Sequence, residues 1–90
     1  MFYMLINRTR PNLTAEDYAR LGQLAQGFYD NIPAGLKLHG DWAAQDGSRT
    51  FALLETEDPG LLEQIQAPFR GYVDMELLPV TPVSGWGKAA

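Results

Sequence analysis

Apolar and polar positions along the chain fall into six periodic segments, in the order strand, helix, strand, strand, helix, strand. Phe2 to Asn7 is a short apolar run with aromatic and branched members, bounded by Arg8-Thr9-Arg10-Pro11, so its length predicts a strand. Thr14 can cap a helix, with Asp17 three residues on as a shortened capping box, and Tyr18, Leu21, Leu24, Ala25 and Phe28 then recur at helical spacing up to about Asn31. Leu36 to Ala43 alternates, placing Leu38, Gly40 and Trp42 on one side and Lys37, His39 and Asp41 on the other. The Gln45-Asp46-Gly47-Ser48 turn joins it in a hairpin to Thr50 to Thr56. Asp58 caps a second helix with Pro59 at its first position, and Leu61, Leu62 and Ile65 give it a short apolar face that ends at Pro68. After the Gly71 turn, a last strand from about Tyr72 to Val80 alternates Val73, Met75 and Leu77 with Asp74 and Glu76.

This order predicts an α+β domain of the ferredoxin-like kind, βαββαβ, with right-handed crossovers laying both helices on one face of an antiparallel sheet. The opposite face would then be bare. Phe2, Met4 and Ile6 point one way in the first strand and Tyr3 and Leu5 the other; in the third, Phe51 and Leu53 oppose Ala52 and Leu54. Both faces are therefore apolar, whereas a sheet with one wet face alternates apolar with polar. At about 25 cal/mol per Å2, a few hundred Å2 of wet apolar surface forfeits several kcal/mol, comparable with the whole stability of a small domain. A second copy of the chain, packed sheet to sheet as a two-fold homodimer, is the expected cover.

Composition narrows the chemistry. Ninety residues make one domain, here residues 1–80 with a tail over 81–90 that has Trp86 as its one large apolar group. With no cysteine there are no disulfides, thiolate sites or cysteine nucleophile, and a single histidine argues against an all-protein zinc or iron site. The apolar start, Met1 to Ile6, is short and has no basic lead, which with the cysteine count leads us to expect a cytoplasmic protein. No run approaches the roughly 18 apolar residues of a membrane span. A net charge of -4 with seven Lys and Arg disfavours nucleic acid and anionic membrane as partners.

Trp42, Gly47, Phe51, Leu54, Glu55, Asp58, Leu61 and Leu62, followed by Val73, Asp74, Glu76, Pro79 and Val80, form a joint pattern that resembles a family of unknown function, DUF3303, over about residues 1–80. The resemblance implies membership of the dimeric α+β barrel superfamily, which includes cofactor-independent monooxygenases, muconolactone isomerases, polyketide cyclases and stress-responsive proteins. It implies the fold and leaves the chemistry open. Pro68 and Phe69 with Tyr72, Asp74 and Glu76 separately resemble the end of muconolactone isomerase, where a C-terminal tail reaches neighbouring subunits.

The residues that could carry chemistry each have a plainer role. His39 is the one imidazole, and on a strand face with Lys37 and Asp41 it could act as a general base oriented by a carboxylate, or stand solvated. Asp74 and Glu76 share a face with Tyr72; buried, they would repel and form an acid and base pair, and exposed they would be surface charges about 7 Å apart. Glu55, at the end of the third strand, is a pocket acid or a partner for Arg49 or Arg70. Tyr3, Tyr18, Tyr29 and Tyr72 with Phe2, Phe28, Phe51 and Phe69 could line a cavity or build core, and Trp42 could belong to core or dimer interface. Gly22 and Gly27 in the first helix leave room beside the sheet or allow close packing.

No cofactor or metal is expected. The glycines are dispersed without GxGxxG or a phosphate loop, His39 on a strand is unlike a helix-borne haem ligand, and Ser48 and Ser84 have no nucleophile elbow. The leading expectation is a small dimeric protein binding an apolar metabolite between sheet and helices, with Tyr3, Tyr18, Phe28, Trp42, Phe51 and Tyr72 as contacts. Two alternatives are a cofactor-independent isomerase, cyclase or monooxygenase on an aromatic or polyketide-like substrate, with His39, Asp41, Glu55, Asp74 or Glu76 moving a proton, and a structural module assembled through Trp86.

Overall fold

The computed structural model describes residues 1–83. Its elements run β1 (Phe2–Thr9), α1 (Ala15–Asp30), β2 (Leu36–Ala43), β3 (Thr50–Thr56), α2 (Pro59–Gln66), a 3-10 turn over Ala67–Phe69, and β4 (Val73–Val80). The strands form one antiparallel sheet in the order β2-β3-β1-β4, the α+β ferredoxin-like arrangement that the periodicity predicts. Among the described residues no helix is long and apolar enough to cross a membrane. The tail segment Gly85-Trp86-Gly87 lies outside the described residues.

Local chemistry explains the boundaries. The Thr14 hydroxyl accepts from the Asp17 N–H at 3.0 Å while the Asp17 carboxylate accepts from the Thr14 N–H at 3.0 Å, so the shorter Asp completes a reciprocal cap at the start of α1. The Asp58 carboxylate accepts from the Gly60 N–H at 2.9 Å, and Pro59 loses no hydrogen bond at the first turn of α2. In the β2–β3 turn Asp46 accepts from the Ser48 N–H at 2.9 Å, and Gly47 takes φ +75°, a value that side chains rarely adopt. β1 extends two residues past the expected Asn7, because Arg8 and Thr9 pair with Asp74 and Val73 of β4. The Arg10 N–H still donates to the Tyr72 carbonyl at 2.9 Å; Pro11 has no N–H to continue.

Leu5, Leu36, Leu54 and Leu62 form the core, with Phe28 of α1 and Leu61 and Ile65 of α2 packed against it, so both helices cover the same face. They do so unequally. α2 buries Leu62 and Gln66, whereas α1 has no buried residue. Added Cβ atoms at Gly22 and Gly27 would meet nothing within 4 Å, so these glycines do not serve close packing.

One expectation is corrected by the register. β2 pairs Leu38 with Leu54 but Gly40 with Leu53, so His39 is an extra residue in the strand, a β-bulge. Directly paired residues project to the same side. Leu38 and Asp41, opposite Leu54 and Ala52, therefore belong to the helix side; Lys37, Gly40 and Trp42, opposite Glu55, Leu53 and Phe51, belong to the open side. Unbroken alternation sets Trp42 with Leu38 and Asp41 with His39, and the bulge exchanges these partners.

Candidate functional site

Because α1 stands off the sheet, a cleft of about 490 Å3 opens between them. Its floor is Leu5, Leu38, Ala52 and Leu54; Leu21, Ala25 and Phe28 of α1 form the roof, and Ile65, Phe69, Val73 and Met75 close one end. The polar groups gather where the inward row of β1 changes from Tyr3 and Leu5 to Asn7 and Thr9. Asn7 Nδ2 donates to Thr50 Oγ1 at 3.3 Å from the paired position of β3. Asn7 Oδ1 is buried and meets no donor among the described residues. A buried acceptor without a donor costs free energy.

On the sheet-edge strand β2, the Tyr29 hydroxyl of α1 donates to Asp41 Oδ2 where both line the cleft. The bond to the Asp41 carboxylate, with smaller contributions from burial and from the carboxylate charge, pushes the phenol up from 10.0 to about 12. Tyr29 is half-exposed, at 51%, so the hydrogen bond and not burial holds its proton in place. Tyr29 is an aromatic that the sequence marks only as cavity or core; its pairing with Asp41 has no sequence signal, since one group ends a helix and the other follows a bulge.

His39 and Glu55 lie together on the open face. His39 Nε2 is 2.7 Å from Glu55 Oε1, and the imidazole centroid is 5.4 Å from that of Phe2. The imidazole's partner is Glu55 and not Asp41, Glu55 pairs with His39 and not with Arg49 or Arg70, and the hydrogen bond from His39 holds the Glu55 carboxyl below its ordinary value. The site is a shallow surface one, with 28% of the His39 side chain and 38% of Glu55 exposed. Arg70 instead bonds Glu63.

Asp74 pairs with Arg10 at 3.1 Å, and Glu76 is exposed opposite Ile6. Both are open-face charges, so the buried acid and base pair contemplated for them does not form. Of the expected ligand contacts, Phe28 lines the cleft; Trp42 and Phe51 border it while facing the open side by register, where the Trp42 indole lies over Gly40. Tyr3 packs on the core, Tyr18 is 54% exposed, and Tyr72 precedes β4 outside the cleft lining. Asn7 and Thr50 were not singled out by sequence. The usable signal was polar residues continuing the inward row of a strand. Among the described residues no three His, Asp or Glu side chains converge as a metal site requires.

The arrangement can therefore hold an apolar body against the sheet beside the phenol-capped carboxylate of Asp41. A search of curated proteins returns no match. The family model described as a domain of unknown function, DUF3303, matches residues 1–90, the whole of the sequence, and the chain belongs to that family.

Proposed function

We propose that this chain is a small-molecule binding protein of the dimeric α+β barrel type that holds an apolar metabolite between α1 and the sheet. The cleft carries the reading. Its volume of about 490 Å3 falls in the range of roughly 300–1,000 Å3 common for ligand pockets, and its walls are apolar with a few convergent polar groups. Native mass spectrometry of freshly purified protein tests it, with Ala25→Trp as a variant whose indole fills the cleft from the roof. Retained extra mass on the native chain that Ala25→Trp lacks supports the reading; no retained mass, together with equal thermal stability of both proteins with and without apolar ring compounds, overturns it.

The homodimer rests on the open face. Phe2, Met4, Ile6, Phe51 and Leu53 there are only partly buried, and Trp42 and Leu78 are 57% and 40% exposed. An apolar patch of this kind on a sheet marks an interaction surface, and a second copy offers the same patch across a two-fold axis. Leu53→Lys should convert a dimer to a monomer in the same spectrum, while a native chain that is monomeric at micromolar concentration removes the dimer.

A second reading, a cofactor-independent isomerase, cyclase or monooxygenase, is favoured by one observation. Among the described candidates His39, Asp41, Glu55, Asp74 and Glu76, only Asp41 borders the cleft. If the chain turns over a substrate there, Asp41→Asn should cut turnover about 100-fold or more, and His39→Ala, across the sheet, should not.

A further inference from the structure

We infer that the two copies meet about one particular two-fold axis, the one that sets Lys37 of each chain against Glu76 of the partner subunit. The inference rests on the homodimer reading above and adds the orientation of the two sheets.

The register lays the open face out as three rungs across four strands. In the order β2-β3-β1-β4, the first rung is Lys37, Glu55, Phe2 and Val80. The third is Trp42, Phe51, Ile6 and Glu76, with Leu53 and Met4 at the centre of the rung between. An apolar band therefore runs diagonally from Val80 to Trp42, and the two remaining corners are Lys37 and Glu76, of opposite charge. Both are exposed, and neither joins an ion pair among the described residues. The acids beside them are matched within the chain: Glu55 bonds His39, and Asp74 accepts from Arg10, with Arg8 opposite it in the rung beyond.

A two-fold axis between facing sheets, through the centre of this grid, can run along either side or either diagonal. Parallel to the strands it covers Lys37 with Val80 of the partner subunit, and across them with the partner's Trp42; both place charge on apolar surface at a desolvation cost. Along the diagonal from Lys37 to Glu76 it sets each charge on its own copy. Along the band it lays band on band and matches Lys37 with the partner's Glu76 twice by symmetry. Three rungs and four strands each span about 14 Å, so this axis crosses the two sets of strands near a right angle, one of the two packings open to facing sheets.

Sedimentation equilibrium of the full chain at low ionic strength tests the axis with Lys37→Glu, Glu76→Lys and the double variant. Each single reversal should weaken the dimer about tenfold, because each spoils two pairs, and the double variant should return to within about threefold of the native chain. Within one chain the two positions stand at opposite corners, about 20 Å apart, so recovery comes only through the partner. Overall charge would act differently, since Glu76→Lys brings the net charge of -4 closer to zero and would tighten a dimer governed by general repulsion. If the native dimer is too tight to dilute apart, the urea midpoint at one fixed concentration reads the same order. A dimer that Glu76→Lys leaves as tight as the native one, or that the double variant fails to restore, overturns the axis and leaves the homodimer standing. A native chain that is monomeric at micromolar concentration removes both.

Discussion

On the helix side of the sheet Leu54 is fully buried, at 0% exposure, in a cluster with Leu5, Leu36 and Leu62, while one residue earlier Leu53 projects to the open side opposite Met4 and Gly40. The two leucines share a strand, a residue type and a β propensity, and differ only in which face the pleat assigns them. The same division separates the two polar pairs: Tyr29 and Asp41 meet on the helix side at the cleft, His39 and Glu55 on the open side. Packing chemistry alone thus cannot tell core from open face in this sheet; the register does. The most direct challenge to the comparison is truncation. Leu54→Ala should cost about 2–5 kcal/mol, seen as a lower urea midpoint that is independent of protein concentration. Leu53→Ala should cost less in the isolated chain, and its effect should grow with concentration if a second copy covers that face. Equal and concentration-independent losses would mean that the open face is not an interface.

Most of the architecture was legible because its signals are local. Thr14 with Asp17 and Asp58 with Pro59 mark helix starts, Asp46-Gly47 marks the hairpin, and the bounds of β2 and β3 follow from their turns. The site was legible only in part, for a reason that sits at one residue. Faces are inferred from a period of two, and a single extra residue inverts every assignment beyond it. Gly40 inside an alternating run was the available warning, since an isolated strand glycine often accompanies a bulge. Reading through it joined His39 to Asp41 and hid the Asp41–Tyr29 pair. A pocket between sheet and helices was expected, but how far α1 stands off was not legible: Leu21, Ala25 and Phe28 have the spacing of a packed helix face whether the helix touches the sheet or stands away from it.

The pairs on the two faces should answer pH from opposite ends. Tyr29 has its folded value raised from 10.0 to about 12, chiefly by the hydrogen bond to Asp41, so its contribution to stability is complete below pH 10 and is lost as pH rises toward 12. Glu55 has its folded value lowered by the hydrogen bond from His39, so its contribution is present above 4.5 and is lost as pH falls through the depressed folded value. A spectrophotometric titration should find Tyr29 ionising late, toward 12, and Asp41→Asn should return it toward 10.0. In acid, His39→Ala should shift the loss of stability upward toward the ordinary glutamate range, by a smaller amount because the pair is solvent-exposed. Late ionisation unaffected by Asp41→Asn would detach Tyr29 from the cleft edge.

The smallest effect is expected from the most drastic-looking change, deletion of His39. If His39 is the extra residue of a bulge, its removal leaves Leu38 opposite Leu54 and Gly40 opposite Leu53 as consecutive rungs of an ordinary ladder. Every residue on either side keeps its face: Leu38 and Asp41 stay toward the helices, and Gly40 and Trp42 stay on the open side. The deletion should therefore fold, keep the late tyrosine, and lose only the acid response that His39 confers on Glu55. In a strand without a bulge the same deletion would flip all residues beyond it, carry Asp41 to the open side and release Tyr29. Tyrosine titration of this variant thus reads the register directly: a late tyrosine means that the two faces are set by the bulge, and a normal one means that Asp41 reached the cleft by some other route.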